Sequence, residues 1–511
     1  MEKRKLTTAQ LAVSIATATL ISKLLGFVRE LVLAAFYGTS YVTDAYSMGT
    51  SIPNTILAGV IGAIATAYMP VFSKKMVDEG EEAANRFTSQ IINYEAIASA
   101  IFCVIGWIFS DQIVRIFAPG YTGETAVLTS FFLKIGFILS LLNSVKCTLQ
   151  SYLEYKGSFL LNIFLGYTQN IAIISFVIIS AMVNMPKLII FGLLVGHIIY
   201  LFGNLFLAKK KGFKYSPDAH LSDSAKEVFR LAVPVFLGTS LGQINAFIDK
   251  YLASGLPEGS VSALHYGDTL VGVITNFTFG IFITILYPRL AKAFAEGNNE
   301  RISSISERTL NLIVVLAIPF MFGAIVYSNE AIQVVYERGA FSEEATAMTA
   351  SAFRFYAAAI AFTGVKSFLD RVYQAVHDTK TPATISVVAI VLNIILNLSL
   401  VGPMGHAGLA FATSISQAVS TVIAYMVFRR KYKDITLFTS WKKPVLVIVF
   451  SAISVAASRL TYEFLLSHIW MPRMVLLGVS VLIAVVIYLI FLVIFKFEEL
   501  SLIKDLLKKN G

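Results

Sequence analysis

Three charged residues and a glycine, Lys23, Gly26, Arg29 and Glu30, interrupt the first long apolar stretch of the chain. In a helix, where successive residues turn by about 100°, all four lie within about 120° of one face. Lys23 is roughly 22 Å from either end of the stretch, too far for easy contact with the headgroups. A charge left in lipid costs ~2.5–3.5 kcal/mol and usually marks a functional site. We expect this stripe to face a water-filled cavity; the alternative is a structural ion pair between Glu30 and one of the two cations.

Other apolar stretches also contain cations. Lys134 and Lys146 lie in one of them, and Arg354 and Lys366 lie in another. The acids within or near such stretches are Asp44, Glu95, Asp249 and Asp268. The charge inside the membrane is therefore net positive, which suits an anionic substrate better than a metal cation or a cationic drug.

The composition explains why these charges need a membrane context. The 511 residues include 41 Lys+Arg and 31 Asp+Glu, which gives a net charge of +10. Apolar residues make up 56% and charged residues 14%, against ~25% charged residues in soluble domains. Such a chain cannot cover a soluble surface, so a disordered chain, a fibrous repeat and a cytosolic enzyme are excluded. Cys103 and Cys147 are too few for a disulfide framework and match no metal site, so we expect them to be buried hydrophobic residues.

The apolar segments predict an all-α polytopic membrane protein with about 14 transmembrane helices. An even number of spans places both termini on one side. With the termini inside, cytoplasmic ends and loops collect 29 basic residues and external ones only six, which predicts cytoplasmic termini by the positive-inside rule. The first span is expected to be retained, because it lacks the short apolar region and cleavage site of a signal peptide. The predicted spans lie near residues 8–37, 45–72, 88–109, 127–153, 158–183, 186–208, 227–253, 260–288, 308–328, 345–376, 381–401, 406–428, 444–465 and 471–495.

Landmarks recur in the same order in the two halves of the chain. Residues 118–121 (APGY) recur as 337–341 (ERGAF), and residues 169–171 (QNI) recur as 392–394 (LNI). A Met-Pro pair closes the second span and a Tyr-Pro pair closes the eighth. All three pairs are separated by nearly the same offset, about 220 residues, which indicates an internal duplication of six spans.

Repeats of six spans have the same topology, because six is an even number. We therefore predict two parallel six-helix repeats around a central cavity, with two further C-terminal helices outside the duplication. The predicted domains are an N-terminal lobe at 1–215, a C-terminal lobe at 216–435, and helices 13 and 14 with a cytoplasmic tail at 436–511.

Several catalytic signatures are absent from the sequence. There is no phosphate-binding G-x-x-x-x-G-K-[ST] loop, no H-E-x-x-H and no paired cysteine motif. We therefore expect no catalytic residues, no metal and no cofactor, and we assign no coupling ion. The basic clusters at 209–211 and 429–433 are short and juxtamembrane, so we expect no nucleic-acid partner. Secondary transport or facilitated flipping is the simplest function.

Ordered motifs run from the first span to the twelfth. They are residues 22–30, 43–46, 52–54, 243–249, 259–264, 337–341, 378–382 and 405–410. As a set they resemble the MurJ/MviN-type lipid II flippases of the multidrug/oligosaccharidyl-lipid/polysaccharide exporter superfamily.

The resemblance implies two lobes around a cationic cavity, with an external groove beside helices 13 and 14 for lipid tails. It also implies a substrate: lipid II, the undecaprenyl-diphosphate-linked disaccharide pentapeptide, moved from the inner to the outer leaflet of the bacterial plasma membrane for peptidoglycan synthesis. Membrane lipids are the other expected partners.

The resemblance carries four positions over as candidate substrate-binding residues: Arg29, Asp44, Asp268, and Lys23 where an arginine is usual. Arg29 and Lys23 are expected to bind the diphosphate, because the planar guanidinium pairs with phosphate oxygens. Asp44 is expected to pair with a cavity cation or to gate the external side. The lobes would alternate access by rocking, with Gly26 and Pro53 as hinge or structural positions.

The sequence also departs from the family pattern. Thr269 stands where a cavity arginine is usual, Gly272 where an acid is usual, and residues 57–58 carry no arginine. Lys134 and Lys146 are the candidate replacements and complete the predicted substrate-binding set. The other interpretations are a flippase for a different polyprenyl-diphosphate glycan, a cation-coupled drug exporter, and a non-transporting scaffold.

Overall fold

The computed structural model describes residues 8–217, 222–468 and 470–499. Within these ranges the regular elements are all helices. Nine of the helices in the described part are long and apolar enough to cross a membrane, or ten if the bent second helix is counted as one span. The expected all-α polytopic class is confirmed, while the count of 14 spans stays a prediction. The basic N-terminus before residue 8 and the tail after residue 499 lie outside the described residues.

The chain divides into two compact units. The first contains the chain up to Ser262 together with Arg338–Ser342, and the second contains Ala263–Glu337 and the chain from Glu343 onward. The first unit therefore includes the seventh long helix of the chain, which packs on the second long helix of the same unit. The domains predicted from the sequence follow the internal duplication and have different boundaries from these two units. They stay predictions.

Eight α-helices precede the end of the first unit, and a short 3₁₀ turn, Pro186–Leu188, leads into the seventh. The α-helices are α1 (Thr8–Tyr37), α2 (Tyr41–Asp78), α3 (Gly80–Ile108), α4 (Ser110–Phe117), α5 (Gly123–Tyr155), α6 (Phe159–Met182), α7 (Ile189–Lys210) and α8 (Asp223–Ala253).

Ten helices follow. A π-helical turn, Asn276–Gly280, separates the first two of them. They are α9 (Ser260–Thr275), α10 (Ile281–Ala295), α11 (Asn299–Val326), α12 (Ser328–Tyr336), α13 (Glu343–Ala357), α14 (Ile360–Ala375), α15 (Lys380–Met404), α16 (His406–Lys431), α17 (Lys442–His468) and α18 (Arg473–Ile494).

Two predicted spans are interrupted in the structure. The predicted span at 260–288 contains the π-helical turn between α9 and α10. The predicted span at 345–376 breaks between α13 and α14, where Ala358 and Ala359 donate to carbonyls only three residues back. Apolar periodicity does not reveal such breaks, because the residues on both sides keep the helical pattern.

Helix boundaries repeat with the offset seen in the sequence. The short helices α4 and α12 begin at Ser110 and Ser328, and the long helices α2 and α9 begin at Tyr41 and Ser260. Helices α3 and α11 form a third such pair. The starts in every pair are separated by about 220 residues, as the recurring landmarks are. This recurrence supports the duplication inferred from the sequence.

Close helix packing in the first unit depends on small residues. Gly49 of α2 faces α5, where a Cβ atom would lie 2.6 Å from the Cβ of Phe132. Gly136 of α5 faces Pro53, whose Cγ would be 3.0 Å from an added Cβ. Helices in lipid gain most of their association energy from this kind of close approach. Helix α2 bends by 43° between Leu57 and Gly59, after Pro53, and the hinge role of Pro53 stays a prediction.

Candidate functional site

The Arg29 side chain lies where α1 packs on α6. Its Nη2 and Nε donate to Oε1 of Glu30 at 2.6 and 3.1 Å, and its Nη1 donates to Oδ1 of Asn170 at 3.4 Å. The side chain of Glu30 is 8% exposed and that of Arg29 is 30% exposed. The structure therefore contains the ion pair that the sequence left as the alternative, and the water-filled cavity stays a prediction.

The ion pair does not use all of the binding capacity of Arg29. A guanidinium has five N–H groups, and the three contacts described above use three of them. Two N–H groups therefore remain for a further anionic partner. This arrangement can bind phosphate oxygens when Glu30 is displaced or shares the guanidinium.

Lys23 and Gly26 lie on the same helix as Arg29, toward its N-terminus. Lys23 has an exposed side chain. A Cβ added to Gly26 would meet no described atom within 4 Å, so no close approach in the described structure requires glycine there. The hinge role of Gly26 stays a prediction.

The two lysines of α5 do not share one site. Nζ of Lys146 lies 4.7 Å from the ring centroid of Tyr200 on α7, a cation–π distance. The backbone carbonyl of Lys134 accepts a hydrogen bond of 2.8 Å from the indole of Trp107, which is half-exposed on α3. The lysines lie three helical turns apart, about 18 Å along the helix. A role for either lysine in replacing a family arginine stays a prediction.

Asp44 is 3% exposed and is bonded to the first turn of α9. Its Oδ2 accepts from the amide of Gly259 and its Oδ1 from the amide of Ser262, both at 2.8 Å. The hydroxyl of Ser262 also donates to Oδ1. A carboxylate at a helix N-terminus is stabilised by the unpaired amides and the helix dipole. Both predicted roles of Asp44, pairing with a cavity cation and gating the external side, stay predictions.

Equivalent positions of the two repeats meet beside Asp44. Thr43 and Ser262 are separated by the offset of the duplication, and the hydroxyl of Thr43 donates to that of Ser262 at 3.1 Å. Thr43 therefore contacts its own counterpart within the first unit. The position equivalent to Asp44 is Ala263, which has no carboxylate.

Two loops make the same contact reciprocally. A Cβ at Gly120 would lie 2.2 Å from the carbonyl oxygen of Ser254, and a Cβ at Gly339 would lie 2.2 Å from that of Ala35. Gly339 and Ser254 are the counterparts of Gly120 and Ala35 at the offset that relates Ser262 to Thr43. The amide of Ala340 also donates to the carbonyl of Ala35 at 2.8 Å. The recurring landmarks at Gly120 and Gly339 are therefore contact residues within the first unit.

Asp268 lies on α9 in the second compact unit and has an exposed side chain. Its predicted role in substrate binding stays a prediction. Across the described ranges, no group of three or more His, Cys, Asp or Glu side chains is arranged to hold a metal ion.

The sequence motif at 378–382 caps a helix. Asp378 accepts from the amide and hydroxyl of Thr381 at 3.1 and 2.7 Å and from Nζ of Lys431 at 2.7 Å. Burial raises the pKa of Asp378, but these hydrogen bonds outweigh it and lower the pKa to about 2. The role of this carboxylate is therefore to begin α15 and to hold it against the end of α16.

Sequence reasoning missed two buried asparagines, Asn162 of α6 and Asn204 of α7. They are 3% and 0% exposed, and neither side-chain amide has a hydrogen-bond partner within the described structure. Amides at helical spacing inside apolar spans were the available signal. Sequence reasoning also missed Tyr200, whose contact with Lys146 joins α5 to α7, two helices that are not consecutive in the chain.

Comparison with known proteins places this arrangement in a family. Residues 33–484 match the family model described as lipid II flippase MurJ, which covers most of the chain. The chain belongs to the MurJ family. A probable lipid II flippase MurJ of Buchnera aphidicola (subspecies Acyrthosiphon pisum) is 27% identical over 428 residues, 82% of this chain and 83% of the relative. One of Rickettsia prowazekii is 26% identical over 492 residues, 93% and 95% of the two chains.

Solved structures agree with the MurJ assignment. A lipid II flippase MurJ in an inward closed conformation superposes with a TM-score of 0.82 at 25% identity, over 94% of this chain and 98% of that one. An inward-facing multidrug resistance transporter of the MATE family has a TM-score of 0.65 at 12% identity, over 82% and 98% of the two chains. The second likeness shows a shared fold only.

Proposed function

We propose that this chain is a flippase that moves lipid II from the inner to the outer leaflet of the bacterial plasma membrane by alternating access. Membership of the MurJ family supports the substrate, and the balance of basic residues supports cytoplasmic termini. The observation that carries the proposal is the partly exposed side chain of Arg29 in α1, whose guanidinium contacts Asn170 and Glu30.

In this mechanism Glu30 neutralises Arg29 while the site is empty. An incoming diphosphate competes with Glu30, because the planar guanidinium binds two phosphate oxygens in parallel. Lys23 is the second cation, six residues earlier on α1 and about 9 Å away along the helix. The proposal does not depend on the other predicted substrate contacts, which are Lys134, Lys146 and Asp268.

The contact of Asp44 with the first turn of α9 closes the external side in this proposal. Opening requires the carboxylate to release the amides of Gly259 and Ser262, and the hinge positions Gly26 and Pro53 take up the motion. When the external side closes again, the carboxylate of Asp44 accepts from these two amides as before. Asp44 is then a gating residue and not a direct ligand of the diphosphate.

The membrane potential favours the outward step. Moving one charge through 100 mV is worth ~2.3 kcal/mol, so a dianionic headgroup that leaves a negative interior gains on the order of 4–5 kcal/mol. The same field draws the positively charged empty site back toward the inside. No cofactor and no catalytic group is part of this mechanism.

The test is complementation of cells depleted of their own lipid II flippase, combined with an assay for headgroup at the outer surface. We expect the wild-type chain to restore growth and flipping, Arg29→Lys to restore them partly, and Arg29→Ala to abolish both. The matched control is Arg86→Ala, because Arg86 is 56% exposed and pairs with Glu82 at 3.4 Å on the surface. Full activity of a properly inserted Arg29→Ala variant would remove Arg29 from the mechanism.

A second candidate substrate is a different polyprenyl-diphosphate glycan. The observation that favours it is the absence of the usual cavity cations, since Thr269 and residues 57–58 provide none. Failure of the wild-type chain to complement, together with binding of another lipid-linked glycan, would favour this candidate.

A further inference from the structure

A half-open cavity of about 270 Å³ lies in the first unit, between α1, α5, α6 and α7. It is lined by polar side chains from all four helices and by apolar groups that include Phe159 and Ile163. Its volume is far more than the ~10–15 Å³ that a single water requires, and it is just below the ~300 Å³ of the smallest ligand pockets. The space therefore suits one ring-sized group. The polar side chains are those of Thr19, Ser22, Gln150, Glu154, Asn162 and Tyr200.

The wall of the cavity contains an amide with no partner. Asn162 is 3% exposed, and neither its Nδ2 nor its Oδ1 forms a hydrogen bond with any described residue. Gly203 faces Leu165 and Gly166 faces Tyr200, so the register of α6 and α7 brings Asn204 level with Asn162. Asn204 has an equally unpartnered amide. Buried polar groups in native proteins are almost always hydrogen-bonded, so the unpartnered amide of Asn162 in the cavity wall indicates a missing polar partner.

The chemistry of the lining favours a neutral partner. Glu154 is the one acidic side chain of the lining, and no lysine or arginine of the described residues lines the cavity. Nε2 of Gln150 donates to Glu154 at 2.9 Å, which leaves its carbonyl oxygen as an acceptor. Amides and hydroxyls offer both donors and acceptors, and Tyr200 and Phe159 offer ring faces. This combination recognises a hydroxylated ring and not an anion or a bare cation.

The cavity is in line with Arg29. Ser22 and Arg29 are seven residues apart on α1 and share one face, with about 10 Å between them along the helix. On α6, Asn162, Gly166 and Asn170 follow at intervals of four residues, and Asn170 contacts Arg29. A Cβ at Gly166 would lie 3.8 Å from Oγ of Ser22, so the two faces meet.

We infer that this cavity binds a sugar ring of the lipid-linked headgroup while Arg29 holds its diphosphate. The inference rests on the proposed function, since it assigns a second part of the same substrate. The site gives the protein a means of distinguishing a glycosylated lipid diphosphate from the lipid diphosphate alone. Asn162 and Gln150 are the residues that contact the sugar.

The test measures binding of two probes, lipid II and undecaprenyl diphosphate, to the purified full-length protein. We expect the wild type to bind lipid II more tightly. Asn162→Leu and Gln150→Leu should weaken lipid II binding at least tenfold and change undecaprenyl diphosphate binding less than twofold. Leucine has a branched shape like that of asparagine and suits an apolar interior, so these variants should fold. The matched control is Asn397→Leu, a buried asparagine of α15 that does not line the cavity.

The outcomes separate this inference from the proposed function. If the wild type binds both probes equally, or if both leucine variants bind lipid II like the wild type, the sugar site is wrong and the diphosphate site stands. Equal weakening of both probes also overturns the sugar site. If the wild type binds neither probe, the proposed function itself fails.

Discussion

Arg29 and Asp44 are two charges of the same unit with opposite surroundings. The oxygens of Asp44 accept from backbone amides and a hydroxyl of the chain, and the residue is 3% exposed. Arg29 is balanced by a neighbouring carboxylate and keeps 30% of its side chain exposed. The partners of Asp44 include two backbone amides, so its release requires the first turn of α9 to move. The ion-pair partner of Arg29 is another side chain, which a ligand can displace without moving the backbone.

The largest effect should come from a glycine beside the Asp44 region. Gly339 has φ +61° and no space for a Cβ, whereas Gly26 beside Arg29 has nothing within 4 Å. We expect Gly339→Ala to destabilise the protein by roughly 3 kcal/mol or more, because it adds a left-handed strain of ~1–2 kcal/mol to a backbone clash. Gly26→Ala should be neutral or slightly stabilising. Thermal unfolding of both purified variants in detergent measures the difference in stability. Equal melting temperatures would show that the two glycines are equally tolerant of a side chain.

Removal of the Asp44 carboxylate should have the next largest effect. Asp44→Ala leaves the amides of Gly259 and Ser262 without their acceptor, at a cost of roughly 1–3 kcal/mol. Asp44→Asn keeps one carbonyl acceptor, so its stability should lie between those of the wild type and Asp44→Ala. If Asp44 gates the external side, labelling of a cysteine placed near that side should rise in the same order. If Asp44→Ala were labelled to the same extent as the wild type and were equally stable, Asp44 would have no role in gating or in stability.

A smaller effect is expected at the partner of Arg29. Glu30→Gln removes the charge that competes with the diphosphate, so undecaprenyl diphosphate should bind about 3–10-fold more tightly, a difference of up to ~1.4 kcal/mol. The surface variant Glu82→Gln, which loses a comparable pair with Arg86, provides the control. Weaker binding in Glu30→Gln would mean that Glu30 positions Arg29 and does not compete with the substrate.

The smallest effect is a pH dependence at Asp378, a capping carboxylate like Asp44. Its pKa of about 2 is below the unfolded value near 3.8, so its stabilisation is complete above pH 4 and is lost as the pH falls toward 2. In Asp378→Asn this contribution is absent, and the difference in melting temperature from the wild type should shrink below pH 4. A difference that stays constant between pH 6 and pH 3 would contradict this assignment.

The sequence was sufficient to predict the long apolar helices, but it was insufficient to predict which residues their side chains contact. The predicted first span, 8–37, has the same bounds as α1, because hydropathy and helical period are local properties. The short helices α4 and α12 were not predicted, since eight or nine amphipathic residues give no span signal. The amides that bind Asp44 belong to the other repeat, far away in sequence, and no local pattern encodes that contact. The ion pair of Arg29 could be anticipated as an alternative because its partner is adjacent.

The reciprocal contact at Thr43 and Ser262 has a consequence for the origin of the molecule. A surface that pairs with its own copy needs only one set of residues, so a half-length ancestor that associated with an identical chain already contained it. Joining the two copies into one polypeptide released each from the need to stay identical. Position 44 has an acid while its counterpart, Ala263, has none, so only one of the two repeats supplies this capping carboxylate.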